Sequence, residues 1–299
     1  KDIRVKVPES VRFELTGEPS PEVTAKDIML SIMALPYIRN GQAIGKVLEF
    51  GGPGVRALPM DERATLTNMA VEAGATSGVI AADDEVLRYL AQMRPGLDVE
   101  GLRDRLLLPD PGAAYAETFH VDLTDLALMV ATPGDPRNGV PLSSLTTPIA
   151  IDIAYGGSCT GGKMADMDMY ASVLGAALEQ GLTVADGVEL YIQFGSQKIK
   201  QYAVDKGYLA LFDRAGAHTI DPSCGACIKA GPGVSREAGQ VTVSAINRNF
   251  PGRSGPGNVY LASPLVVAAS AIKGRLASPN EIWGATGSAG ERRHTPAPV

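Results

Sequence analysis

The sequence predicts an α/β protein with mainly parallel sheets covered by helices. Three observations predict it. Short apolar runs of strand length alternate with longer segments at helical spacing, and Gly-rich loops follow several of the runs. The 299 residues, 45% of them hydrophobic, also suffice for two compact domains.

Taken in order, the chain opens with two strand-like runs, Ile3–Val7 and Val11–Leu15. Thr24 stands at an N-cap position, and the apolar residues from Ala25 to Met33 recur at helical spacing, so a helix follows. Lys46–Phe50 is the next strand and runs into the loop Gly51-Gly-Pro-Gly54. Asp61-Glu-Arg63 opens a second helix with acidic residues in its first turn, which complement the helix dipole, and Gly74 closes it. The alternation continues through a strand at Gly78–Ala81, a helix at Asp84–Met93 and a strand at Pro148–Ala154. A helix begins near Lys163 or Met164, and Leu190–Phe194, Lys198–Lys206 and Thr242–Ile246 then read as strand, helix and strand. Thr132–Pro141 is rich in Pro and Gly with little to bury, and reads as a linker. Gly284–Val299 has no period and reads as a tail. The division expected is remnant strands over 1–22, a first α/β domain over 23–131, a linker over 132–147, a second α/β domain over 148–283 and a tail over 284–299.

Charge and cysteine usage narrow the function. Lys and Arg total 27 against 33 for Asp and Glu, a net charge of -6, so the surface as a whole does not attract nucleic acid or anionic lipid. No apolar run reaches the roughly 18–20 residues of a membrane span. The opening KDIRVKVPES lacks the apolar core of a signal peptide, and three cysteines are too few and too odd for a disulfide scaffold. A cytoplasmic protein is expected, with no nucleic-acid or membrane partner.

The cysteines carry the chemistry. Cys224-Gly-Ala-Cys227 sets two thiols within reach of one metal centre, with a glycine that lets the backbone fold tightly. The same spacing suits a redox dithiol, or half of a zinc site completed by Cys159 and His218. Cys159 on its own also suits a small buried hydrophobe. It stands in Gly156-Gly-Ser-Cys-Thr-Gly-Gly-Lys163, after an apolar strand and before a helix, where α/β sheets bind ligands. Arg248 and Arg253 flank the Pro-Gly turn that follows another strand, and two guanidinium groups there suit bidentate capture of carboxylate; ordinary solvated charge is the plainer alternative. Asn68 and Glu72, four apart, share a helix face that is either a polar outer stripe or part of the site.

Four segments together carry a family resemblance: Thr65-Leu-Thr-Asn-Met-Ala-Val-Glu-Ala-Gly-Ala75, Gly157-Ser-Cys-Thr160, Ser223-Cys-Gly-Ala-Cys-Ile228 and Ser244-Ala-Ile-Asn-Arg-Asn-Phe-Pro-Gly-Arg253. In order and interval they resemble the signature segments of the aconitase superfamily, over about Val23 to Arg275. Tyr260–Gly274 is most similar to its large-subunit branch of 3-isopropylmalate dehydratase and homoaconitase. The resemblance implies two consecutive three-layer α/β/α domains of the aconitase large-subunit type. It further implies a 4Fe-4S cluster held by Cys159, Cys224 and Cys227, with one iron left open. That iron acts as Lewis acid in the dehydration and rehydration of a hydroxy di- or tricarboxylic acid, most closely a step of leucine biosynthesis. Asn68 and Asn247 resemble the asparagines beside the cluster, Arg248 and Arg253 the arginines that bind substrate carboxylates, and Glu72 the acid that supports a catalytic histidine.

The sequence also departs from the family. Gly161 replaces a common Asn, and Ala226 a more usual Pro or Met. His120, His218 and His294 match no family motif. The family's first domain and its mobile final domain, often a separate small subunit, are not in the matched stretch, so the isolated chain is expected to lack full activity. A non-catalytic iron-sulfur or metal-binding interaction protein of this fold is the alternative.

Overall fold

A computed structural model describes residues 6–284. In the first part, β1 (Ser10–Thr16), β2 (Val47–Gly51), β3 (Ser77–Ile80) and β4 (Glu117–Asp122) form a four-stranded sheet in the order β3-β2-β1-β4. All three pairings are parallel. The helices between them are α1 (Ala25–Met33), α2 (Pro36–Arg39), α3 (Pro53–Arg56), α4 (Met60–Asn68), α5 (Asp84–Met93) and α6 (Glu100–Arg103). Val11, Phe13 and Leu15 alternate inward along β1, and the Phe13 ring stacks between Phe50 at 5.7 Å and Phe119 at 5.3 Å. Thr24 caps α1 as expected, in a reciprocal box with Asp27.

In the second part β5 (Met129–Ala131), β6 (Gly139–Pro141), β7 (Ile153–Gly156), β8 (Glu189–Gln193), β9 (Ala217–Ile220), β10 (Val241–Ser244) and β11 (Asn258–Leu261) form a seven-stranded sheet, ordered β6-β5-β11-β10-β7-β8-β9. From β11 to β9 the pairings are parallel; β5 runs antiparallel to both neighbours. Its helices are α7 (Met164–Glu179), α8 (Gln197–Asp205), α9 (Tyr208–Ala215), α10 (Pro264–Lys273) and α11 (Asn280–Trp283).

The α/β class with mainly parallel sheets is the one the sequence predicts; the organisation differs in three places. Val11–Leu15, expected as a remnant, is an inner strand with neighbours on both sides, because its alternate residues are needed to fill the first core. Thr132–Pro141, expected as a linker, holds β6, and the β5-β6 hairpin extends the second sheet. The two parts also share a core. Ala154, Ile192 and Val243 face α7 and α10, whereas Ile153, Tyr155, Tyr191 and Leu261 on the opposite face join the cluster around β1 and α1. Burial on both faces explains why these strands read as unbroken apolar runs. Ile3–Val5 and almost all of the Gly284–Val299 tail lie outside the described residues; Lys6 and Val7 are not in a strand.

Candidate functional site

Because β7, β8, β9 and β10 are parallel neighbours, the segments that leave their carboxyl ends emerge on one edge of the sheet. Cys159 follows β7, Cys224 and Cys227 follow β9, and Asn247, Arg248 and Arg253 follow β10. From the first part, the end of α4 and the turn beyond it bring Asn68 and Glu72 to the same place.

The Cys159 loop is turned tightly. Gly157 has φ +143° and Ser158, with a side chain, φ +66°. Gly161 packs so closely that a Cβ there would lie 2.5 Å from Ala245 Cβ, so this loop has no room for the side chain common in the family. The Cys159 thiol is exposed and sits 3.4 Å from Asn247 Oδ1 and 3.6 Å from Asn68 Oδ1. Asn247 Nδ2 donates to Asn68 Oδ1 at 2.6 Å, so the two amides and the thiol form one group. Thr160 Oγ1 lies 2.8 Å from Asn247 Oδ1 and 2.9 Å from Ala245 O, two acceptors that share its single proton.

Cys224 precedes a single turn of 3₁₀ helix, Gly225–Ile228, and Cys227 lies within it. The other departure, Ala226, is 2% exposed and packs into the first core. Behind it Tyr155 donates to Gln193 Oε1 at 2.8 Å, and Gln193 Nε2 donates to Ser223 Oγ at 2.5 Å. Burial pushes the Tyr155 phenol up to about 12, so it stays a donor at any ordinary pH. Arg253 Nη2 lies 3.8 Å from the Cys227 thiol.

Arg248 Nε donates to Glu72 Oε1 at 2.6 Å, an ion pair in which the Glu72 side chain is almost wholly buried. That hydrogen bond, with the nearby Cys159 and Cys227, raises the Arg248 guanidinium further above its ordinary value. Where the resemblance implies a histidine beside Glu72, the partner here is Arg248. His120 lies in β4, and His218 lies within β9 beside the Tyr191 ring at 5.5 Å. Among the described residues no three His, Cys, Asp or Glu side chains, His218 included, form a group placed to hold a metal ion; His294 lies outside the described residues.

Sequence reasoning missed Lys26. It stands at the apolar spacing of α1 with Met29, Leu30 and Met33, and a lysine on that stripe was the signal available. Its side chain is buried at the site, and burial lowers its pKa to about 8, so it remains mostly charged at neutral pH.

The donor chemistry suits a thiolate-held iron-sulfur body. The three thiols are free, soft ligands at one sheet edge; Arg253 donates toward Cys227, and the Cys159 thiol faces the amide oxygens of Asn68 and Asn247. Among the described residues no three ligating side chains crowd about one point as a single ion would require. Two buried polar atoms at this edge, Glu72 Oε2 and Arg253 Nε, have no hydrogen-bond partner among the described residues, the kind of orphan a bound group can satisfy.

Fold and site together define a parallel-sheet α/β protein with a thiol, amide and guanidinium centre at the carboxyl edge of one sheet. The profile of the aconitase family (aconitate hydratase) matches residues 1–150 and 146–274, and the chain belongs to that family. It is 38% identical over 279 residues to the 3-isopropylmalate dehydratase large subunit of Clostridioides difficile (strain 630), covering 93% of this chain and 63% of that protein. It is 39% identical over 279 residues, with the same coverage, to the 2,3-dimethylmalate dehydratase large subunit of Eubacterium barkeri. The chain therefore spans about 63% of the length of these relatives. Among solved structures, the holo-form of Thermococcus kodakaraensis aconitase X aligns with TM-score 0.42 and 15% identity, over 81% of this chain and 49% of that one. No described helix is long and apolar enough to cross a membrane.

Proposed function

We propose that this chain is the cluster-binding part of a hydro-lyase that isomerises a hydroxy di- or tricarboxylic acid by dehydration and rehydration, closest to 3-isopropylmalate dehydratase in leucine biosynthesis. Cys159, Cys224 and Cys227 would hold a 4Fe-4S cluster. When bound, such a cluster with three protein thiolates supplies an open iron that acts as a Lewis acid. The observation that supports this reading is that the loops carrying Cys159 and the Cys224–Cys227 pair leave parallel strands at one sheet edge, where Asn68 and Asn247 lie against Cys159 and Arg253 against Cys227.

The chain's own residues divide the remaining work. Asn68 and Asn247 orient Cys159 through their amides. Arg248, fixed by Glu72, and Arg253, whose Nε is unpartnered, bind substrate carboxylates through planar guanidinium forks. The buried Glu72 positions Arg248, and its free Oε2 accepts a proton-bearing group of the substrate or of a covering domain. The relatives named as large subunits support a small-subunit or swivelling-domain partner that completes the site. A cytoplasmic location follows from this biosynthetic role.

The test is anaerobic reconstitution with iron and sulfide. We expect about four irons and four sulfides per chain, an EPR signal of the dithionite-reduced cluster that shifts on adding a hydroxy dicarboxylic acid, and loss of both in Cys159→Ser. Zinc without sulfide, or a signal indifferent to the acid, overturns the reading.

A further inference from the structure

Among the charged groups that bridge the two parts of the molecule is a buried lysine. Lys26 on α1 is 1% exposed, and its ammonium lies 3.2 Å from Thr160 Oγ1, 3.0 Å from Ala245 O and 2.7 Å from Ile246 O. Three acceptors use all three of its donors, and they are a hydroxyl and two carbonyls rather than a carboxylate. A buried ammonium bonded only to neutral acceptors is costly, more so than an apolar side chain of the same length. Its acceptors, however, are special. Thr160 follows Cys159, Ala245 and Ile246 precede Asn247, and Asn247 Oδ1 meets both Thr160 Oγ1 and the Cys159 thiol.

We propose that Lys26 is a positioning residue that clamps the Cys159 and Asn247 loops into one frame and places a positive charge near the Cys159 thiol. The charge half rests on the cluster reading above; the clamp half does not, because it is a property of the metal-free chain.

The experiment uses the full chain with Lys26→Met, Thr160→Val and Thr160→Ser. In the metal-free proteins, hydrogen exchange is followed over residues 157–162 and 245–249, with 223–228 as internal control. Lys26→Met is expected to speed exchange in the first two segments by about tenfold or more and leave the control unchanged. Thr160→Val should give a smaller increase in the same segments, and Thr160→Ser, which keeps the hydroxyl, should match the parent. After reconstitution, the Lys26→Met cluster should have a lower midpoint potential than the parent, since a buried cation favours the more reduced, more negative state. Thr160→Val keeps the charge and should keep the parent potential.

Unaltered exchange, exchange raised equally at 223–228, or an unchanged potential in Lys26→Met overturns the proposal. Should Lys26→Met fail to fold by circular dichroism, the threonine pair decides, and Thr160→Val exchanging like Thr160→Ser overturns it. A parent chain that takes up no cluster refutes the proposed function instead, and the exchange comparison still decides the clamp.

Discussion

From Gly156 to Gly162 every residue but Cys159 is buried, and the loop is fastened to β10 through Thr160 and to α1 through Lys26. The turn that carries Cys224 and Cys227 is the reverse: Ser223, Cys224 and Ile228–Pro232 are exposed, while Gly225, Ala226, the half-buried Cys227 with Arg253, and the Tyr155-Gln193-Ser223 chain tie it down. The difference separates two tasks. A preorganised thiol fixes where a bound group sits at no further ordering cost, while a thiol pair on an open turn can close around it afterwards.

Four substitutions break or sharpen that contrast. The largest effect is expected from Gly157→Ala. Its φ of +143° is hostile to a side chain, and the new Cβ would lie 2.6 Å from Gln193 Cβ and 2.9 Å from Gln193 O, with backbone that cannot yield. A loss of about 4 kcal/mol in urea unfolding is expected; a loss under about 1 kcal/mol would mean the loop is not rigid.

Next comes Asp27→Asn, which tests the anchor of α1 behind the Cys159 loop. The Asp27 carboxylate accepts from Thr24 N and Met129 N, both at 2.8 Å, and burial raises its pKa to about 6. A carboxyl whose pKa is raised on folding contributes stability that is present below about 3.8 and is lost as pH rises through about 6. The parent should therefore lose stability relative to Asp27→Asn between pH 4 and pH 7, by up to about 3 kcal/mol. Parallel stability curves for the two proteins would contradict this.

Gly225→Ala should cost less, about 2 kcal/mol. Its φ is +51°, and its Cβ would meet the Tyr155 hydroxyl at 2.2 Å, the tip of a side chain rather than backbone. If it proves worse than Gly157→Ala, the order of rigidity assigned to the two loops is inverted. The smallest effect is expected from Tyr155→Phe, about 1 kcal/mol for one hydrogen bond. Hydrogen exchange should rise over 223–228 and stay at the parent rate over 157–162.

The strands around the site were legible because they are buried on both faces and read as apolar runs, β7 and β8 above all. β4 was not, since most of its residues are exposed at a sheet edge and no alternation survives. β11, with one exposed and one half-buried residue among four, was missed for a related reason. At the site, the cysteines, Asn68, Asn247 and the arginines were legible as motifs. The contacts that set their geometry were not, because they join distant residues: Lys26 meets Thr160 and Ala245 across separations of 134 and 219 residues. The pairing of Glu72 with Arg248, 176 residues apart, belongs to the same class. Helical spacing placed Asn68 and Glu72 together, but α4 ends at Asn68 and a turn, rather than one helix face, delivers Glu72.

The antiparallel β5 also governs how the chain is assembled on the ribosome. Met129–Ala131 has β6 close behind it in the chain to pair with, but among the described residues its other side pairs with β11, at residues 258–261. Until that strand has been made, one edge of β5 is a bare row of amides and carbonyls next to a half-built core, the kind of edge on which nascent chains join one another. Synthesis of β11 closes that edge and brings β10 into the middle of the sheet beside β7. The sheet edge that carries Cys159 and Arg248 is thus completed in the same step that pairs the bare side of β5.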